Sequence, residues 1–241
     1  MVVRRPVAPA EHRSVISSEV AERIREWHDA AARAAARDNG SEQTFAYLGK
    51  KLTVPPGVHR ITGVSHLLGE AVLAEVSDAD RVLDVGTGSG VNAILAASRG
   101  ARVVAVDSIP HALDAARHNA ERSGMSARIN VLESDHFGSV VGQFDVIIYE
   151  SQVRLGAPND RFTFDDVIDD AQHITVFIHD ARRHLIEVSG RILFFVGPAP
   201  GQATLIELAK EEGFAASIVA QEAFIRDGQS VDYFVIRATP L

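Results

Sequence analysis

The chain has 241 residues, of which 46% are hydrophobic and 23% are charged, so we expect a soluble globular protein with one sizeable core. Its formal net charge of −8 argues against a general electrostatic attraction to duplex nucleic acid or to an anionic membrane. The chain has no cysteine, which excludes disulfides, thiolate metal sites and thiol nucleophiles and fits a cytoplasmic setting.

The first predicted unit is a helical extension over residues 1–40. Apolar residues from Ile16 to Ala31 recur at spacings of three and four, which is typical of one stripe of an amphipathic helix that ends near residue 36. Seven arginines and six acidic residues give residues 1–40 a net charge of +1, so this segment is not a basic arm.

A hairpin and a connecting segment are predicted next, over residues 41–62. The strand-like segments Thr44–Leu48 and Leu52–Val54 flank a glycine, and two prolines follow the second segment. A second helical stripe then runs from Val64 to Val76.

Residues 63–241 are predicted to be one α/β domain. Five strand-like segments alternate with helical stretches, which predicts a parallel sheet with right-handed crossovers. They are residues 81–86, 101–107, 128–134, 144–149 and 191–197. Two further strand-like segments, Ala215–Ala220 and Val231–Ile236, are joined by a connection too short for a crossover helix. We therefore expect a mostly parallel seven-stranded sheet whose last strand is antiparallel.

A glycine-rich turn follows the first strand of this sheet. The segment Val82–Gly90 (VLDVGTGSG) runs from an apolar strand through alternating glycines into a helix, so the backbone can approach a ligand closely. Asp107 ends the second strand, 17 residues after Gly90, where a carboxylate can accept both hydroxyls of a ribose. A dinucleotide site would need a third glycine at the position of Val91, and a turn without ligand would not need the acidic partner.

These residues resemble the first and second motifs of the class I S-adenosyl-L-methionine (SAM) methyltransferases. The resemblance covers about residues 52–238 and is closest to the release-factor glutamine methyltransferases and the small-domain methyltransferases. The segment Ser134–Phe137 (SDHF) follows the third strand, as an S-D-x-F stretch does in that group. The resemblance implies a Rossmann-like class I methyltransferase fold with SAM as the cofactor.

The same resemblance implies a set of cofactor-binding residues. In it, Asp84 and the glycine turn hold the methionine moiety, Asp107 holds the ribose, and Asp135 accepts from the adenine amine while His136 or Phe137 packs on the ring. The full set is Asp84, Gly86, Thr87, Gly88, Gly90, Asp107, Ser108, Asp135, His136 and Phe137. A helix cap is the alternative role of Asp135.

The sequence departs from the resembled group where the acceptor is bound. Members that methylate amides and exocyclic amines have Asn-Pro-Pro-Tyr or Asn-Pro-Pro-Phe directly after the fourth strand, whereas here Tyr149 is followed by Glu150–Val153 (ESQV). This departure predicts an acceptor other than glutamine, adenine or guanine. We expect methyl transfer to a small molecule, such as an amino acid or a secondary metabolite.

Glu150 and Tyr149 are the predicted catalytic residues. Methyl transfer requires alignment of donor and acceptor and, for some acceptors, removal of a proton. Glu150 could bind an ammonium group or act as a base, with a helix cap or a loop salt bridge as the alternative. Tyr149 could donate a hydrogen bond or line the pocket, with core packing as the alternative. The polar loop at residues 154–164 is the predicted wall that selects the substrate.

The histidines show no recognised metal-binding spacing, so no metal site is expected. His173, His179 and His184 lie on a helix predicted from about Asp165 to Val188, and the last two are expected at its surface.

Other functions stay open on the sequence. They are a protein or RNA N-methyltransferase, an enzyme that uses SAM for another displacement such as cyclisation of its aminobutyrate chain, and a non-catalytic SAM-binding module. A homodimer is also open.

Overall fold

A computed structural model of the chain describes residues 42–58, 65–150, 164–196, 202–226 and 229–241. The predicted N-terminal helix and nearly all of the predicted substrate-facing loop lie outside these ranges. Within them, no helix is both long enough and apolar enough to cross a bilayer.

The described ranges contain nine strands and five helices. The strands are β1 (Gln43–Tyr47), β2 (Lys50–Val54), β3 (Arg81–Val85), β4 (Arg102–Asp107), β5 (Ile129–Glu133), β6 (Val146–Glu150), β7 (Arg191–Val196), β8 (Phe214–Arg226) and β9 (Gln229–Pro240). The helices are α1 (His66–Glu75), α2 (Val91–Ser98), α3 (Pro110–Arg122), α4 (Phe164–Arg183) and α5 (Gln202–Glu211).

The main sheet has seven strands in the order β5-β4-β3-β6-β7-β9-β8. Strands β3 to β7 are parallel, and β9 runs antiparallel to both β7 and β8. This confirms the predicted sheet and its antiparallel last strand. The order of the strands reverses between β3 and β6, and in open α/β sheets such a reversal leaves a crevice at the carboxyl ends of the two strands. The fold therefore offers a ligand site at that edge.

Helices cover both faces of the sheet because successive residues of each strand point to opposite sides. On β3, Val82 belongs to the core cluster formed with α1 and α2, whereas Leu83 belongs to the cluster formed with α4 and α5. Both side chains are fully buried. The two clusters hold the strands in place and leave the loops at the sheet edge to carry function.

The predicted hairpin is present as the pair β1–β2. Its turn consists of Leu48 and Gly49, with φ angles of +43° and +76°, which matches the two-residue turns that suit the twist of a hairpin. The side chains of Tyr47 and Leu52 are buried in the core cluster beside α1 and α2. The hairpin is thereby packed onto the α/β unit.

Three elements, α4, β8 and β9, differ in length from the sequence prediction. Helix α4 ends at Arg183, five residues before the predicted end near Val188, because the chain turns there to pair with the segment before β6. The Phe144 N–H donates to the His184 carbonyl at 2.8 Å, and the Ile186 N–H donates to the Phe144 carbonyl at 3.1 Å. Strands β8 and β9 extend beyond their predicted ranges, to 13 and 12 residues.

Candidate active site

The glycine turn joins β3 to α2 at the centre of the sheet edge. Gly86, Gly88 and Gly90 all have left-handed φ angles, of +69°, +53° and +81°. Among the described residues, a Cβ atom on Gly86 would meet nothing within 4 Å, and one on Gly88 would meet Val58 Cγ1 at 3.9 Å. With respect to the described part of the chain, the space in front of the turn is therefore open to a ligand. A Cβ atom on Gly90 would lie 3.0 Å from Ala116 Cα, so Gly90 lets α3 pack closely.

Asp84 supports this turn from inside the protein. Its side chain is buried, and Oδ2 accepts hydrogen bonds from the Thr87 hydroxyl at 2.6 Å and from the Ala93 N–H at 3.1 Å. The Thr87 N–H donates to the Val106 carbonyl at 2.9 Å. Burial raises the pKa of Asp84 to about 7, against the lowering effect of its two hydrogen bonds. Asp84 and Thr87 thus shape the turn, and their direct contact with the cofactor stays a prediction.

Asp107 ends β4 beside the turn, as the sequence predicts. Its Oδ2 accepts from the Gly88 N–H at 2.9 Å, and its Oδ1 accepts from the Ile109 N–H at 3.0 Å. A carboxylate has about four acceptor positions, so capacity is left for two hydroxyl donors. Ser108 is exposed next to it. The placement of Asp107 suits the predicted role in ribose binding.

The segment after β5 lies against Asp107, because the Ser134 N–H donates to the Asp107 carbonyl at 3.0 Å. The Asp135 side chain is 86% exposed, and its Oδ1 lies 2.8 Å from His136 Nδ1. A turn, and no helix, connects this segment to β6, so Asp135 is not a helix cap. Phe137 instead packs against α4, where its ring centroid lies 5.2 Å from that of Phe177. Binding of adenine by Asp135, His136 and Phe137 stays a prediction.

Tyr149 and Glu150 end β6 and lie on opposite faces of the sheet. The Tyr149 ring stacks on Phe177 with centroids 4.0 Å apart, which matches the alternative of core packing. Glu150 lies on the face of α2, where the buried side chain of Asn92 hydrogen-bonds to it. Burial and the charge of Asp84 raise the pKa of Glu150 to about 7, and the Asn92 bond lowers it. Glu150 is therefore a half-buried residue at the end of a strand, with a hydrogen bond from Asn92.

The hairpin contributes a polar group to the same surroundings. Burial, followed by the negative charges of Glu150 and Glu70, raises the pKa of Tyr47, while a hydrogen bond from the Gly69 backbone lowers it. The Tyr47 hydroxyl donates to the Ser65 carbonyl at 2.6 Å. Tyr47 thus remains a neutral hydrogen-bond donor close enough to influence Glu150.

Of the two histidines expected at the surface of α4 and its end, one is exposed and the other is partly buried. His179 is 58% exposed and lies 3.0 Å from Glu212, so it is a surface residue as expected. His184 is partly buried, and its ring stacks on Phe137 with centroids 5.1 Å apart. The side chain of His173 lies outside the described residues. Among the described residues, no group of three or more His, Cys, Asp or Glu side chains could hold a metal ion.

Two functional candidates, Asn92 and Asn119, are missing from the sequence prediction. Both amides are buried, with exposed fractions of 5% and 0%. Asn92 contacts Glu150, and Asn119 contacts the glycine turn and the hairpin. Each is a polar residue on an apolar helix face, next to buried alanines, and that pattern was the available signal.

The residues at this edge fit SAM. The open space before Gly86 suits an amino-acid chain, and the Asp107 carboxylate suits the hydroxyls of a ribose. Glu150 lies across β3 from Asp107, because β3 pairs with β4 on one side and with β6 on the other. Asp107 and Glu150 thus lie on opposite sides of β3, and the assignment of the two sides to cofactor and acceptor stays a prediction.

Comparison with known proteins finds SAM-dependent methyltransferases, in agreement with a site that fits SAM. The family model for ribosomal protein L11 methyltransferase (PrmA) matches residues 56–150, which include the glycine turn, Asp107 and Glu150. A provisionally assigned protein N5-glutamine methyltransferase of Methanocaldococcus jannaschii is 30% identical over 180 residues, covering 72% of this chain and 89% of that protein. A ribosomal protein L11 methyltransferase of Dechloromonas aromatica is 41% identical over 114 residues, covering 44% of this chain. The match spans 37% of that second relative.

A solved structure shares the fold. The 16S rRNA N2 G1207 methyltransferase of T. thermophilus, in complex with AdoMet and guanosine, superposes with a TM-score of 0.61 at 21% identity. The superposition covers 83% of this chain and 50% of that chain. At this identity the similarity concerns the fold.

Proposed function

The chain belongs to the class I SAM-dependent methyltransferases, and from that membership we propose that it transfers a methyl group to a nitrogen atom of a protein. One observation carries the proposal. The similarity to the provisionally assigned protein N5-glutamine methyltransferase extends over 72% of this chain and 89% of that relative, well beyond the cofactor motifs between Val82 and Phe137. SAM is the cofactor.

The expectation of a small-molecule acceptor is wrong. Both relatives are named for protein acceptors, and so is the family model, whose match to this chain ends at Glu150. The missing Asn-Pro-Pro-Tyr motif is one way to hold a nitrogen acceptor, and its absence says nothing about the size of the molecule that carries the nitrogen. Because the relatives are methyltransferases, the comparisons support methyl transfer over cyclisation of SAM and over a non-catalytic SAM module.

Glu150 supports an acceptor nitrogen that must lose a proton. When bound, SAM supplies a methyl group on an electrophilic sulfonium. A protein amine is protonated at neutral pH, and its nitrogen can attack only after the proton has left. A carboxyl group with a pKa of about 7, held by Asn92, is suited to bind the ammonium and to take that proton. The glycine turn and Asp107 would hold SAM, and Glu150 would hold the acceptor nitrogen and take its proton before methyl transfer.

The proposal is tested with tritiated SAM. The purified protein is incubated with [methyl-³H]SAM and a lysate of the source organism that has been separated into proteins, RNA and dialysable small molecules. We expect acid-precipitable label in the protein fraction that is sensitive to protease and resistant to nuclease. The Asp107→Ala variant is the matched control, because it should lose label in proportion to its loss of SAM binding.

The labelled product released by acid hydrolysis identifies the type of acceptor nitrogen. Acid hydrolysis of the labelled protein should release a methylated basic amino acid for an amine acceptor, and methylamine for a side-chain amide. Label in the dialysable fraction, or label removed by nuclease, would overturn the proposal. A cytoplasmic location remains a prediction.

A further inference from the structure

The buried amide of Asn119 contacts two separate segments. Its Oδ1 accepts from the Thr53 N–H at 2.8 Å, and its Nδ2 donates to the Thr53 carbonyl at 2.7 Å and to the Ser89 carbonyl at 2.9 Å. Asn119 is 0% exposed, so none of these bonds can be exchanged for water without opening the packing. One side chain on α3 therefore joins the hairpin to the glycine turn.

Thr53 lies on the outer edge of the hairpin. Tyr47 pairs with Lys50 across the two-residue turn, and Thr53 pairs with Thr44 three positions further along. Because hydrogen-bonded and non-hydrogen-bonded pairs alternate, the Thr53 N–H and carbonyl point away from β1. The Asn119 amide satisfies both groups, as the peptide group of a third strand would. Arg122 adds a bond to the Thr53 hydroxyl at 2.7 Å.

Helix α3 also contacts the wall opposite the turn. Val54 and Val58 pack with Ala112 and Ala115 in a small buried cluster. Val58 Cγ1 lies 3.9 Å from the position of a Cβ atom on Gly88. The segment Val54–Val58 thus forms one wall of the open space in front of the turn, and α3 fixes its distance from the turn.

We propose that Asn119 is a positioning residue that couples the SAM-binding turn to the Val54–Val58 wall. If either segment moves alone, a buried amide or carbonyl group loses its partner, which is strongly unfavourable. The two segments therefore move together, and SAM bound at the turn orders the hairpin through Asn119. This inference requires SAM binding and does not depend on which acceptor is methylated.

Hydrogen exchange with and without SAM tests the coupling. In the wild type, saturating SAM should slow exchange both in the turn and at the Thr53 amide. In Asn119→Ala it should slow exchange in the turn while the hairpin no longer responds, and the SAM dissociation constant should rise about tenfold. Arg122→Ala is the matched control, because it removes a hairpin bond and leaves the link to the turn. It should keep the response of the hairpin.

With the wild type and Asn119→Ala, two results would overturn the proposal. One is a hairpin in the wild type that does not respond to SAM, and the other is a full hairpin response in Asn119→Ala. If Asn119→Ala does not fold, Asn119→Asp gives the answer. Its carboxyl group accepts from the Thr53 N–H, but burial favours the protonated form, which has a single donor for the Thr53 and Ser89 carbonyls. The coupling should therefore be weaker than in the wild type and should fall further at alkaline pH, where the carboxyl is ionised. A response equal to that of the wild type at neutral pH would also overturn it.

Discussion

At the scale of single residues, the site contains three carboxyl groups in different surroundings. Asp84 is buried beneath the glycine turn, Asp107 accepts from two backbone N–H groups, and Glu150 is held by Asn92 on the other side of β3. Burial raises the pKa of Asp84 and of Glu150 to about 7. Substitutions of Glu150 and of Asp107 are therefore expected to have different consequences.

Replacing Glu150 should affect turnover and not SAM binding. Glu150→Gln keeps the shape and removes the base, so the single-turnover rate at saturating SAM should fall about a hundredfold or more. The wild-type rate should rise with pH through about 7, because the base acts when it is deprotonated. Glu70→Gln, at an exposed acidic residue on α1, is the control. A rate within a few-fold of the wild type in Glu150→Gln would remove Glu150 from the mechanism.

Replacing Asp107 should weaken the binding of SAM. Asp107→Ala removes the predicted ribose acceptor and the bond to the Gly88 N–H, which together cost about 1–3 kcal/mol, or roughly 5- to 150-fold in affinity by calorimetry. Glu133→Ala is the control, because Glu133 is the residue paired with Asp107 at the end of β5. Equal losses in the two variants would point to a general charge effect, and unchanged affinity in Asp107→Ala would refute the assignment.

Replacing Asp135 should affect adenine recognition. Asp135→Asn is expected to weaken the binding of SAM. Its effect on the binding of an analogue without the exocyclic adenine amine should be much smaller. Competition binding with both ligands measures this difference. If both ligands weaken equally, Asp135 acts through its contact with His136 and not through the adenine.

At the scale of elements, the glycine turn has two sides with different neighbours. Gly86 faces open space, and Gly90 faces the backbone of α3 at Ala116. The turn therefore joins a ligand surface to a packing surface over five residues. The hairpin is tied to the same helix through Asn119, so α3 supports both walls of the cofactor space.

Alanine substitutions should separate the two sides of the turn. Both Gly86→Ala and Gly90→Ala place an L side chain at a left-handed φ, at a cost of about 1–2 kcal/mol each. Gly90→Ala also adds a contact at 3.0 Å to Ala116 Cα. Its free energy of unfolding, measured with urea, should therefore fall by about 1 kcal/mol or more beyond the fall in Gly86→Ala. Gly86→Ala should instead weaken SAM binding more than Gly90→Ala does. Equal unfolding free energies would contradict this division.

At the scale of the whole molecule, the glycine turn and Glu150 lie at the ends of β3 and β6, the two strands between which the strand order reverses. The predicted division into residues 1–40, 41–62 and 63–241 remains a prediction. In the described part of the chain, the hairpin shares a core cluster with α1 and α2, so it contributes to the stability of the α/β unit.

The free energy of unfolding should depend on pH through the ionisation of Glu150. Its pKa is about 7 in the fold and 4.5 for a glutamate free in water, so the stabilising contribution of the protonated form is complete below about 4.5 and is lost as pH rises through 7. The unfolding free energy of the wild type minus that of Glu150→Gln should fall by up to about 3 kcal/mol over this window. Urea unfolding across the window measures it, and a difference independent of pH would contradict the raised pKa.

The sequence by itself determined the local structure and the cofactor motif. Helix α2, the hairpin and the parallel strands follow from periodicity and turn residues that act over a few positions, and Asp107 follows from its place at the end of a strand. The helix end at Arg183 was not predictable, because a pairing with Phe144, distant in sequence, decides it.

Only the tertiary structure decided how the side chains act. Glu150 and Tyr149 are neighbours in sequence, yet one lies beside Asn92 and the other stacks on Phe177. Asn119 bonds to Thr53 across 66 positions of the chain. Burial, hydrogen bonding and the resulting pKa values depend on groups that come close in space, and no spacing along the sequence specifies those groups.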